Sequence, residues 1–211
     1  MVAGILALFI FGAVAAAVAT GDPRVAAMDL AAAQSIYPWR SAATTAAMLV
    51  ITALGSPASV LTACALLGIA FAYQRRWPAL IVFSLCVPGG MLMNVIIKQL
   101  LHRHRPALDP VIALSTFSFP SGHTLGSTLL IGLLVVHALR RRPHPRSRVA
   151  VIVILAATLV VSAVAASRIY LGVHYLSDVT AGAMEGLAWL VLGVSVADRW
   201  LPGWASPSSL A

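Results

Sequence analysis

Charge is what this chain has least of. Only 9% of its 211 residues are charged, whereas 60% are apolar, and an ordinary soluble domain carries roughly 25% charged residues. So few charges cannot cover a water-facing surface around so apolar an interior, which excludes a soluble globular domain. Acidic residues are scarcest, six against fourteen Lys and Arg, for a net charge of +8. In a soluble chain that excess would suggest nucleic acid. At a mean hydropathy of +0.94 it belongs first to membrane topology, and no nucleic-acid partner is expected. Cysteine is also sparse. Cys64 and Cys86 lie inside apolar stretches and make neither a disulfide framework nor a CxxC metal site.

Long apolar runs are what the chain has instead. A helix needs about 20 mainly apolar residues to cross the hydrocarbon core, and six such spans are predicted, near 3–20, 43–73, 78–97, 121–139, 149–167 and 179–197. Gly55, Ser56 and Pro57 interrupt the second, which predicts a bent span or a short helix leading into one. The expected fold is therefore all-α, a single membrane-embedded domain over 1–211 with a loop at 98–120 and no room for a soluble domain. Tyr37, Trp39, Tyr73, Trp77, Tyr170, Tyr175, Trp200 and Trp204 flank the proposed span ends, where amphipathic rings favour the headgroup layer. The first span lacks the basic n-region of a secretory signal, although alanines near position 17 loosely resemble a cleavage site. Its loss would leave the remaining topology unchanged.

Orientation follows from the basic residues. Eight of the fourteen fall on one side, including the dense run Arg140 to Arg148, and six on the other. The denser side is placed in the cytoplasm with both termini. The loop at 98–120 then faces outward from a cell inner (plasma) membrane.

Polar residues are costly in a bilayer, so their positions carry most of the functional information. They gather in three clusters, KQLLHRHRP from Lys98, FPSGHT from Phe119 and SRIYLGVHYLSD from Ser167. All three are expected at outer span ends. Lys98, Arg105 and Arg168 are cations that together would attract a multiply charged group such as phosphate, with the arginine forks matched to paired oxygens. Ser121 and Gly122 open the fourth span, where N–H groups and the helix dipole favour an anion. His174 and Asp178 stand at i and i+4, so the carboxylate can hold one imidazole nitrogen and leave the other as a nucleophile. His123 has the chemistry of a general acid and base.

These patterns, K-x6-RP at Lys98–Pro106, PSGH at Pro120–His123 and SR-x5-H-x3-D at Ser167–Asp178, resemble those of the type 2 phosphatidic acid phosphatase superfamily. All three occur in order without a substitution. The resemblance implies a haloperoxidase-like helical core. It implies a metal-independent phosphatase needing no cofactor, with a phosphohistidine at His174, Asp178 orienting it and His123 acting as acid and then base. It also implies phosphate binding by Lys98, Arg105, Ser121, Gly122 and Arg168. The expected partners are the bilayer and a lipid phosphate: phosphatidic acid, phosphatidylglycerol phosphate or undecaprenyl diphosphate. Oligomeric state is left open. His102, Arg103 and His104 suggest a second phosphate and so a diphosphate lipid.

Blander explanations stand beside these. Basic residues after a span are usually interfacial anchors, a lone buried histidine usually packs, and an i,i+4 His–Asp pair braces a helix. His102 and His104 lack a convincing set of metal ligands around them. His137 and His144 beside the arginine run are expected to be solvated. Gly182 and Gly186 form a GxxxG that permits close packing. Glu185 lies about two turns below Asp178 on nearly the same face, either hydrogen-bonded to a neighbouring helix or lining the substrate cleft. A phosphotransferase using the same histidine, or a non-catalytic lipid-binding or transport protein, would share the anion site.

Overall fold

The computed structural model describes residues 1–107, 109–141 and 147–205. It is all-helical. Eight α-helices among the described residues run in the order α1 (Val2–Thr20), α2 (Pro23–Ile36), α3 (Ala42–Leu54), α4 (Pro57–Tyr73), α5 (Trp77–Leu101), α6 (Gly122–Arg140), α7 (Ser147–Tyr170) and α8 (Leu176–Trp200).

The starts and stops have local causes. Asp22, Ser41, Ser56 and Ser121 each accept a hydrogen bond from a backbone N–H of the helix they precede, and Pro23 and Pro57 occupy the first helical position. Gly21 ends α1 in the left-handed region at φ 67°. Helices α1, α5, α6, α7 and α8 are each long and apolar enough to cross a membrane. Helices α3 and α4 are so only together, bent by 42° at Gly55–Ser56, where the interrupted second span was predicted.

Helix α6 is central. Its Leu125, Leu129 and Leu133 are fully buried beside Phe83 and Val87 of α5, Val60 of α4 and Leu190 of α8. Helix α7 lies at the periphery and turns Ile152, Leu155 and Leu159 outward, as a lipid-facing helix must. Small residues let α8 approach α6. A Cβ at Gly182 would lie 2.5 Å from the Ser121 carbonyl oxygen, and one at Gly186 would lie 2.9 Å from Thr128 Cβ.

Several expectations are corrected. Between the first and second predicted spans, where no span is expected, the chain forms a helix, α2, which packs on α7 and α8. His137 is not solvated: it is buried in an aromatic box of Phe71, Phe83 and Trp204. Trp204 and Tyr170 turn inward against the protein; Trp204 donates to Asp198, and the Tyr170 hydroxyl meets Thr44 and Thr45. Hydropathy marks distance from charge but not which ring folds inward. Within the arginine run, residues 142–146, with His144, lie outside the described residues.

Replacing Gly182 with Ala should destabilise the protein by about 1–3 kcal/mol, because a backbone carbonyl cannot move aside. Gly12→Ala, within α1 where nothing lies within 4 Å, should keep or slightly raise the melting temperature in detergent.

Candidate active site

Four helix ends converge at one end of the bundle. The last turn of α5 carries Lys98, the first turn of α6 His123, the last turn of α7 Arg168, and the loop into α8 carries His174. Together with Arg105 they line one cavity of about 590 Å³. Residues up to 76 positions apart in sequence (98 to 174) thus share one wall. The cavity continues past Leu61, Met91, Leu92 and Val95 between α4 and α5, into the apolar part of the bundle.

Loop carbonyls hold the cations in place. Lys98 Nζ donates to the carbonyls of Phe117 and Ser118 at 3.0 and 3.1 Å. Arg105 donates through Nε to Thr116 O at 2.7 Å and through Nη1 to Val173 O at 2.6 Å. Its Nη1 also lies 3.3 Å from His174 Nε2. Arg168 is 1% exposed, and its Nη1 donates to Thr52 Oγ1 at 2.6 Å. Its Nε and Nη2 meet no hydrogen-bonding partner among the described residues. A buried guanidinium with idle donors is costly unless an anion can engage them, and this one sits on the cavity wall.

His174 Nδ1 lies 3.3 Å from Asp178 Oδ2, which also accepts from the Tyr175 backbone N–H at 2.9 Å. A proton on Nδ1 then faces the carboxylate, and Nε2 faces the cavity with its lone pair. Burial pushes the His174 imidazole down to about 4; Asp178 opposes this, while Arg105 and Lys98 add to it. The ring is therefore neutral at physiological pH, the form that can act as a nucleophile.

Not every expected residue reaches the cavity. Gly122 does. Ser121 is fully buried, its Oγ accepts from Thr124 N and Oγ1, and its N–H donates to the Asp178 carbonyl, so it shapes the start of α6 rather than facing the cavity. Asp178 stands behind His174, fully buried. Glu185 is buried and accepts from Asn94 Nδ2 at 2.8 Å. It lines a second, mostly apolar cavity of about 520 Å³ between α1, α5 and α8. Asn94 lines the cation cavity and so links the two. An amide inside an apolar span is itself a sequence signal for such a residue. His102 is exposed, its ring set edge-on to Phe117 at 4.6 Å.

A family model for the PAP2 superfamily matches residues 77–201. The chain belongs to the PAP2 superfamily. This PAP2 protein is 31% identical to phosphatidylglycerophosphatase B of Bacillus subtilis (strain 168) over 186 residues, covering 86% of this chain and 89% of that one. It is similar in structure to a transmembrane PAP2-type phosphatidylglycerolphosphate phosphatase from Bacillus subtilis: TM-score 0.86, 27% identity, 96% of this chain and 99% of that chain covered. It shares a fold with Aquifex aeolicus LpxE, with a TM-score of 0.59, 22% identity, and 79% and 94% of the two chains covered. The PAP2 protein is an integral membrane protein and a phosphatase of lipid phosphates.

In spectra of the histidine-labelled protein in detergent, the His174 ring should keep the shifts of a neutral imidazole until pH falls toward about 4. Titration near the ordinary 6.5 would contradict the burial of the ring.

Proposed function

We propose that the protein removes the terminal phosphate of a membrane glycerophospholipid, phosphatidylglycerol phosphate foremost, through a phosphohistidine at His174. The observation that carries this reading is the buried, partly unpartnered guanidinium of Arg168 on the same cavity wall as Lys98, Arg105 and two histidines. Three cations at one point match a dianionic phosphate. The apolar continuation of the cavity between α4 and α5 suits a lipid tail that stays in the bilayer while its headgroup reaches the cations.

In the proposed reaction His174 Nε2 attacks phosphorus, and the N–P bond forms as the bond to the lipid oxygen breaks. His123 gives its proton to that leaving oxygen. Asp178, across Nδ1, stabilises the positive charge on the ring. Water then gives a proton to His123 and attacks phosphorus, releasing inorganic phosphate and freeing Nε2. No metal enters the scheme. Ser121 contributes by fixing the start of α6, and Gly122 by allowing close approach. Glu185, with Asn94, lies at the edge of the substrate cleft.

Phosphatidic acid and undecaprenyl diphosphate remain candidate substrates. The earlier reason for favouring a diphosphate weakens, because Arg103 is engaged by Asp29 and Asp178. The Bacillus subtilis relatives, both named for a phosphatidylglycerol phosphate substrate, support the monoester. The site is proposed to face outward, with both termini cytoplasmic and residues 1–211 acting as one membrane domain.

Purified protein should release phosphate from phosphatidylglycerol phosphate faster than from phosphatidic acid or undecaprenyl diphosphate, and chelator should not stop it. His174→Ala should abolish turnover, whereas His123→Ala should slowly accumulate phosphoenzyme with a good leaving group. Equal, mild losses in the two variants, or strict dependence on Mg²⁺ or Zn²⁺, would overturn the scheme. Orientation has its own test, since both native cysteines are buried and His104 is exposed. His104→Cys should react with an impermeant maleimide added outside intact cells.

A further inference from the structure

The histidine–aspartate pair does not end at Asp178. Its Oδ1 accepts from Arg103 Nη1 at 2.6 Å, and Arg103 Nη2 donates at 2.7 Å to Oδ2 of Asp29 on α2. Asp29 is 2% exposed. It also accepts from the backbone N–H of Ser177 at 2.8 Å through Oδ1, and from the Ser177 hydroxyl at 2.6 Å through Oδ2. The Arg103 guanidinium lies 4.1 Å from the centre of the Tyr175 ring. Burial works against charge on Arg103, but Asp178 and Asp29 outweigh it and hold the guanidinium above its ordinary range. The four groups alternate in sign when the imidazole carries charge: Asp29, Arg103, Asp178, His174.

We infer that Asp29 and Arg103 are positioning residues for the reaction, holding Asp178 and the first turn of α8 so that the His174 nitrogen aims into the cavity. The inference rests on the phosphohistidine reading above. Neither residue touches the cavity wall, so neither is catalytic. Asp29 lies outside the segment matched by the family, 77–201, and Arg103 is an unspecified position within K-x6-RP, so the motifs point to neither.

Two features favour this role over that of a simple brace. The Asp29 carboxylate offsets the Arg103 charge, so without it an uncompensated cation beside Asp178 would oppose positive charge on the imidazole ring. The Asp29 carboxylate also ties the Ser177 backbone, one residue before Asp178, to a different helix. Loss of that tie lets the i,i+4 pair turn with the end of α8. Lys98 and Arg168 do not depend on it, and Arg105 keeps its bonds to Thr116 and Phe117 even if its contact with Val173 loosens. Chemistry and anion binding should therefore separate.

The test measures phosphate release by the full-length protein in detergent, per folded molecule, alongside wild type. Asp29→Asn and Arg103→Gln should each lower kcat on the order of ten- to a hundredfold. KM for the lipid and inhibition by inorganic phosphate should stay within about twofold, a margin well under one tenfold step in affinity. Asp29→Glu, which keeps the charge, should recover activity relative to Asp29→Ala. If Asp29→Asn does not fold, Arg103→Gln tests the same link from the other end. The inference is overturned by wild-type kcat in the variants, by KM and phosphate inhibition worsening in step with kcat, or by Asp29→Glu performing no better than Asp29→Ala. A wild-type protein that releases no phosphate from any of the three lipids would instead overturn the proposed function, and this role with it.

Discussion

A cation withdrawn from water into an apolar bundle must be met by oxygen, because an unpaired buried charge costs several kcal/mol. Lys98, Arg105 and Arg168 meet that constraint in different ways. Carbonyls of the segment around Thr116 to Ser118 take Lys98 and part of Arg105, which also donates to the Thr116 hydroxyl and the Val173 carbonyl. Arg168 has a single threonine hydroxyl and keeps two donors idle. The loop after α5 thus holds two of the three charges round the cavity, and the third, Arg168, is held by α3 and keeps two donors free on the cavity wall.

The rest of the architecture serves that end of the bundle. The loop is pinned to the α7–α8 connection by the Val111 N–H to Leu171 carbonyl bond, and closed on itself by Ser118 to the Arg103 and His104 carbonyls. Arg40 donates to the Tyr170 carbonyl, covering the C-terminus of α7 just past Arg168. On the helix side, Gly182 lets α8 approach the start of α6 until the Ser121 N–H bonds the Asp178 carbonyl. That contact fixes His123 and the His174–Asp178 pair relative to each other. The opposite end of the bundle carries the Arg140–Asp198 pair and the aromatic box round His137, and holds none of the proposed reacting groups.

Asp178 and Glu185, both on α8, differ in company. Asp178 has Arg103, a backbone N–H and an imidazole; Glu185 has one amide, from Asn94, and an apolar cavity beyond. Each arrangement follows from depth. Near the helix end, loop residues and α2 can supply donors, whereas two turns deeper only neighbouring helices remain.

The sequence by itself was enough for the helical class, the apolar spans, the break at Gly55–Ser56, and Lys98, Arg105, His123, Arg168 and His174 as partners, because lipid forbids stray polar groups and those residues stand out against an apolar background. Helix α2 was hidden because a short interfacial segment needs no long apolar run. The inward turns of Tyr170, Trp204 and His137 were hidden because hydropathy ranks residues without saying which neighbour will cover them. Only the tertiary structure decided that Ser121 caps a helix rather than facing the cavity, that Asn94 joins Glu185 to the site, and that Asp29 reaches Arg103 from 74 residues away. Such contacts depend on how helices pack in three dimensions, and spacing along the chain encodes distance only within a single helix.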